Sequence, residues 1–184
     1  MSFDQTLSRN IYRIAKDSWI LRPLAIFCAN TLLFIMITAI VFTCSALDCD
    51  ADFWRRTQGH AFTLGLPLFI TWLVTFFLQK TIKRARPFEQ GRDEPLIKMV
   101  WIEPSFPSAH SAVAFATAVV GSYFYWELFG PWLFFVAIAV AISRVAVGVH
   151  YMSDVFFGAL LGVMIGSSSL FALLWLVFFS PFLH

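Results

Sequence analysis

The chain has 184 residues, of which 59% are hydrophobic and 13% charged, and its formal net charge is +2. An ordinary soluble domain is roughly 45–50% apolar. So few charges cannot cover a water-soluble globule of this size, and the same figures exclude intrinsic disorder. The small net charge excludes a nucleic-acid partner as a first reading. The long apolar blocks predict an all-α, polytopic membrane helix bundle.

In chain order, residues 2–19 read as an amphipathic helix lying in the membrane interface, within an interfacial segment 1–22. Phe3, Leu7, Ile11 and Ile14 recur at steps of three or four with charges between them. Ser2 with Gln5 fits a capping box. Asp4, Arg9, Arg13, Lys16 and Asp17 crowd the first twenty residues, so no cleavable signal is expected.

Five spanning blocks follow: Pro23–Ala46, Ala61–Leu78, Ser108–Trp126, Pro131–Val147 and Val155–Phe179. Each is near the roughly 20 residues a bilayer requires. With no internal repeat and no low-complexity linker, residues 1–184 read as one membrane-embedded domain. Ala112 and Ala116 share one spacing with Gly158, Gly162 and Gly166, which predicts close helix packing within the chain. Cys28 reads as packing. Cys44 and Cys49 stand at a membrane exit, as a pair under oxidising conditions or as two free thiols.

Threading five spans through a bilayer puts four polar points on one side. They are the end of the second span, the start of the third, the end of the fourth and the start of the fifth. Arg86, Ser108, His110, Arg144, His150 and Asp154 therefore meet at one membrane–water boundary. Arg144 interrupts an apolar span, where a charge is costly and usually functional. His150 and Asp154 are four apart and share a helix face.

The chemistry that suits this group is phosphoryl transfer. Two arginines offer bidentate donors to phosphate oxygens. A helix beginning at Ser108 presents unpaired backbone N–H groups to an anion. One histidine can attack phosphorus while Asp154 orients it, and the other can protonate the leaving oxygen. No dense cluster of carboxylates, His and Cys implies a metal or another cofactor.

These residues resemble the signature of the type 2 phosphatidic acid phosphatase superfamily of membrane lipid phosphatases: K-x6-R-P, P-S-G-H and S-R-x5-H-x3-D. The third part is complete as Ser143-Arg144, His150 and Asp154. The second reads Pro107-Ser108-Ala109-His110, with Ala for Gly; the first keeps Arg86-Pro87 but has Gln79 where Lys is expected. The resemblance covers roughly residues 60–170. On a helix Lys80 lies about 120° and Lys83 about 60° from the face of Arg86. A long side chain can recover either offset, so both stay open as the phosphate-binding lysine.

The resemblance implies a two-step, metal-independent mechanism. His150 would be the nucleophile, Asp154 its orienting partner and His110 the acid and then the base. Arg86, Ser108, Ala109, Arg144 and Lys83 or Lys80 would hold the phosphoryl oxygens. Short bacterial undecaprenyl-diphosphate phosphatases of this superfamily are similar in their five-span build, their Arg86-Pro87-Phe88 run and their run from Ser105 to His110. A polyprenyl diphosphate is thus the expected substrate. Phosphatidic acid, phosphatidylglycerophosphate and lipid A phosphates are alternatives, as are a lipid phosphotransferase and a non-catalytic lipid-binding or transport subunit.

Eleven of the 13 basic residues fall on the motif side; Arg55 and Arg56, beside Asp48, Asp50 and Asp52, fall on the other. The positive-inside rule places the site in the cytoplasm. The similar bacterial enzymes face outward from the inner membrane, and that orientation is the one carried over. The expected partners are a lipid (di)phosphate and the bilayer. No oligomeric state is implied.

Overall fold

The computed structural model describes residues 3–47, 53–90, 94–99 and 103–179, without the side chains of 44–47, 53–61, 124–128 and 176–179. The Ser2 capping box, the Cys44–Cys49 pair, the acidic cluster at Asp48, Asp50 and Asp52, the side chains of Arg55 and Arg56, and Arg92 lie outside this description. The described chain is helical, with α1 (Phe3–Asp17), α2 (Leu21–Phe27), α3 (Leu33–Leu47), α4 (Phe53–Ile82), α5 (Ala109–Ala146) and α6 (Met152–Phe179). A π-helical turn, Cys28–Leu32, joins α2 to α3. No strand occurs among the described residues.

Helical backbone runs unbroken through α5, but its axis doubles back. The rings of Phe115 and Phe134 are 6.5 Å apart, whereas 19 residues of straight helix would separate them by about 28 Å. The Ser122 hydroxyl also donates to the Gly130 carbonyl at 3.4 Å. So α5 is a hairpin of two arms, 109–123 and Phe129–Ala146, with Gly130-Pro131 beside the bend. Both ends of the hairpin return to the same end of the bundle.

Among the described residues four helical stretches are long and apolar enough to cross a membrane: Leu21–Thr43, Phe62–Ile82, Phe129–Ala146 and Met152–Trp175. These coincide with four of the five expected blocks. The remaining block supplies the first arm of α5, which is the packed centre of the bundle. Ala112, Ala114, Ala116, Ala118 and Val120 there are wholly buried.

Small residues let α6 lie against that arm. A Cβ on Gly162 would stand 2.1 Å from the Ala112 carbonyl oxygen, and one on Gly158 would stand 2.5 Å from that of Ser108. The helix pairing expected from the alanine and glycine spacing is therefore present, and it sets the start of α6 beside the start of α5. A second cluster, Ala15, Ala25, Ala29, Ala146, Val147 and Val149, ties α1, α2 and the π-helical turn to the end of α5. Gly148, at φ +81, turns the chain out of α5, and the Tyr12 ring lies where a Cβ would project.

On α1 the buried residues are Ser8, Tyr12 and Ala15, while Phe3 and Ile14 are exposed. The helix thus meets the bundle through Ser8, Tyr12, Ala15 and the part-buried Ile11, while Phe3 and Ile14 face outward. Cys28 is a half-buried free thiol in the π-helical turn.

Candidate active site

Three structural ends meet at one cavity: the loop after α4, the N-terminus of α5, and the turn between α5 and α6. The cavity holds about 310 Å³ and is lined by Trp72, Thr75, Phe76, Gln79, Arg86, Met99, Glu103, Ala109, His110, Arg144 and His150. Arg86, His110, Arg144 and His150, up to 64 residues apart, are thereby brought together. Asp154 lies behind His150, fully buried.

The two arginines are held by backbone. Arg86 Nε donates to the Glu103 carbonyl at 2.6 Å, and its Nη1 donates to the Val149 carbonyl at 3.0 Å. Burial holds Arg86 below the ordinary guanidinium value. Arg144 Nη1 donates to the Ala29 carbonyl in the π-helical turn at 3.0 Å. Arg144 Nε is buried with no partner among the described residues. A buried guanidinium nitrogen without an acceptor is costly, and an anion in this cavity would supply one.

The N-terminus of α5 forms the second donor set. Ser108 is its N-cap, and the hydroxyl accepts from the Ser111 amide at 3.5 Å. The Ser108 N–H donates to the Asp154 carbonyl at 3.0 Å. The Ser108 hydroxyl accepts as a cap and keeps its own proton to donate, while Ala109 and His110 line the cavity. Their amides are the ones that helix geometry leaves without an intrahelical acceptor.

His150 is held on its Nδ1 side. Nδ1 lies 2.8 Å from the Ser105 backbone carbonyl and 3.6 Å from Asp154 Oδ2. A carbonyl only accepts, so the proton sits on Nδ1 and Nε2 keeps its lone pair. Burial pushes His150 down to about 4, against the opposing effect of Asp154, with Arg86 and Arg144 reinforcing the shift. The ring is neutral near pH 7, as a nucleophile requires.

Asp154 accepts from four groups. Ser105 Oγ and the Tyr151 amide donate to Oδ2. Arg84 Nη1 donates to Oδ1 at 2.6 Å; the fourth donor, the Ser108 amide, bonds the Asp154 main-chain carbonyl as above. Ser105 and Arg84 were not among the residues singled out from sequence. Ser105 acts on His150 through a main-chain oxygen, which leaves no mark in side-chain spacing. Arg84 looks like one more basic residue in a basic loop.

The lysines depart from expectation. Neither Lys80 nor Lys83 lines the cavity. Lys80 is half-exposed and pairs with Glu103 Oε2 at 2.7 Å. Lys83 is exposed and adopts φ 50 where the chain leaves α4. Lys80 is still in α4, one residue past the inward-facing Gln79, and Glu103 occupies its ammonium, whereas Lys83 lies just beyond the helix end. Gln79 takes the inward position: it is buried, and Nε2 donates to the Pro107 carbonyl at 2.9 Å.

Comparison with known proteins identifies the family and the fold. The family model for the PAP2 superfamily matches residues 60–180. Among solved structures, LpxE of Aquifex aeolicus is similar, with a TM-score of 0.70 and 25% identity over 92% of this chain and 96% of that one. A transmembrane PAP2-type phosphatidylglycerolphosphate phosphatase from Bacillus subtilis shares the fold, with a TM-score of 0.66 and 23% identity over 90% of this chain and 82% of that one. No curated protein matches the chain.

Proposed function

The chain belongs to the PAP2 superfamily and is a membrane lipid phosphatase of that type; from this premise we propose that it hydrolyses a polyprenyl diphosphate, undecaprenyl diphosphate first, through a phosphohistidine on His150. The observation that carries the reading is the buried Nε of Arg144, without a partner among the described residues, in a cavity shared with Arg86, His110 and His150.

Arg86, Arg144 and the amides of Ala109 and His110 receive the oxygens of the terminal phosphate, with the N-cap of Ser108 holding those amides in place. His150 Nε2 attacks the terminal phosphorus; a P–N bond forms as the bridging P–O bond to the lipid monophosphate breaks. His110 gives its proton to the departing bridging oxygen of that lipid monophosphate. Asp154 and the Ser105 carbonyl stabilise the imidazolium that results. Water then attacks the phosphohistidine, His110 takes the water's proton, and His150 and orthophosphate are released. Anion binding falls to arginines and helix amides, so the reaction is written without a metal ion.

The lipid chain has a path on α4. Trp72 and Phe76 line the cavity below Gln79. Their rings stack at 5.7 Å, and Phe69 continues the row at 6.2 Å from Trp72. An apolar row leading from a phosphate pocket suits a long unsaturated chain in the bilayer. In this reading the first arm of α5 is the fifth crossing and α1 lies in the interface, at the outer face of the inner membrane.

Phosphate release in detergent tests the proposal, using a polyprenyl diphosphate, phosphatidic acid, phosphatidylglycerophosphate and a lipid A phosphate, each with and without chelator. Preference for the first substrate and indifference to chelator are expected. Loss of activity in chelator overturns the metal-free step, and preference for another lipid overturns the substrate. A cysteine placed at the exposed Gln90 reports sidedness by its labelling in intact cells.

A further inference from the structure

The carboxylate of Asp154 is connected to the N-terminal helix through one side chain. Arg84 Nη1 donates to Asp154 Oδ1 at 2.6 Å and to Ser153 Oγ at 2.7 Å, while Nη2 donates to Asp4 Oδ2 at 2.8 Å. The guanidinium also lies 4.2 Å from the centre of the Tyr151 ring. Burial pulls Arg84 down, but Asp4 and Asp154 outweigh it and hold Arg84 above the ordinary guanidinium value.

The contact from α1 is built. Asp4 Oδ1 accepts from the Ser153 amide at 3.0 Å, and Oδ2 accepts from the Ser153 hydroxyl at 2.6 Å. Ser8 Oγ accepts from the Met152 amide at 2.8 Å. Two of the first amides of α6 are thus capped by side chains of α1, some 145 residues earlier in the chain. Burial raises Asp4, but Ser153 and Arg84 outweigh it and hold the carboxyl below its ordinary value.

We propose that Arg84, held in place by Asp4, is a positioning residue that sets the orientation and charge balance of Asp154, which makes the amphipathic helix α1 part of the catalytic apparatus. The inference rests on the assignment of His150 and Asp154 made above. Arg84 fixes one carboxylate oxygen and leaves Oδ2 on the side of Ser105 and His150. Its charge offsets the field that Asp154 exerts on His150, and Asp4 in turn offsets Arg84. The other charged or titratable groups facing His150 are Arg86 from the loop after α4, and Arg144 and His110 from the two arms of α5. Glu89 and Glu103 act on Arg86. All of these are common to the variants compared below.

The test compares the full-length protein with Arg84→Gln, Arg84→Lys, Asp4→Asn and His150→Ala, measuring kcat, KM and the acid limb of kcat/KM. Arg84→Gln is expected to lower kcat about tenfold or more, on the scale of partners one step removed from reacting groups. KM stays within about twofold, because Arg84 does not touch the phosphate. Arg84→Lys recovers part of kcat.

The decisive readout is the direction of the acid limb. Removing Arg84 exposes His150 to the full field of Asp154, so the limb moves to higher pH by about half a unit or more. Asp4→Asn leaves the charge of Arg84 less offset and moves the limb to lower pH. Tyr12 and Ser8 still dock α1 in that variant, through the Glu94 carbonyl and the Met152 amide. A merely structural role moves both limbs in the same direction or neither. That result, with His150→Ala inactive, overturns this inference alone. Retained activity in His150→Ala overturns the inference together with the assignment on which it rests.

Discussion

The Ser105 carbonyl stands 2.8 Å from His150 Nδ1, closer than the Asp154 carboxylate at 3.6 Å. The tautomer of the histidine is therefore set by a main-chain acceptor, and Asp154 acts mainly as a nearby negative charge that Ser105 Oγ also holds.

From this division of labour, Asp154→Asn should cost less than His150→Ala. The asparagine loses the charge that stabilises the imidazolium, while the Ser105 carbonyl still holds Nδ1–H. We expect a fall in kcat of about 10²-fold or more for Asp154→Asn and no measurable turnover for His150→Ala. Single-turnover phosphate release from purified protein checks the order.

The acid limb of kcat/KM should lie near pH 4 rather than near the ordinary histidine value of 6.5, because burial holds His150 down to about 4. The stability effect has a definite sign. Between pH 6.5 and about 4 the unfolded chain binds a proton that the folded chain does not. The contribution to stability is complete above 6.5 and is lost as the pH falls through that window. Rate profiles, and thermal unfolding in detergent over the same range, measure the two effects.

Lys80 should be dispensable where the arginines are not. Its ammonium is half-exposed and paired with Glu103, and exposed pairs contribute about 0–1 kcal/mol. Lys80→Ala is expected to keep kcat/KM within about threefold, on that same scale. Arg144→Ala should lower it by about 10²-fold or more, on the scale of lost transition-state donors. A comparable loss in both variants would return Lys80 to the phosphate site.

Gln79→Lys should tighten phosphate binding. Gln79 is buried on the cavity wall and bonded to the Pro107 carbonyl. An ammonium there keeps a donor to that carbonyl and adds a charge beside the anion. Competitive inhibition by orthophosphate should strengthen by about tenfold. An unchanged or weaker inhibition constant would show that the side chain does not reach the phosphate.

Gly162→Ala should separate α6 from the first arm of α5. The added methyl would meet the Ala112 carbonyl carbon and oxygen, the oxygen at 2.1 Å, and backbone cannot yield as a side-chain tip can. A loss of about 1–3 kcal/mol or more is expected, read as a lower Tm in detergent. Activity falls with it, since the same contact sets Ser108 beside Asp154.

Much of this protein was legible before its fold was known. In a chain that is 59% hydrophobic, each charge inside an apolar block is conspicuous. Arg144 and His110 stand out for that reason, and the span order alone puts them on one side of the bilayer with Arg86, His150 and Asp154. The spacing of Gly158 and Gly162 and of Ala112 and Ala116 marked faces for close packing, because helical periodicity is a local property; that these two faces meet each other came from the fold.

The tertiary structure decided what depends on contacts between distant segments or on main-chain atoms. The Ser105 and Ala29 carbonyls that hold His150 and Arg144 have no side-chain signature. Three basic residues at and just after the end of α4 differ in where the chain points them: Arg86 to the cavity, Arg84 to Asp154 and Asp4, Lys80 to Glu103. The docking of α1 by Asp4 and Ser8 joins residues almost 150 positions apart. Composition and periodicity determine which residues must leave the lipid, whereas only the packed fold determines which of the groups gathered there is its partner.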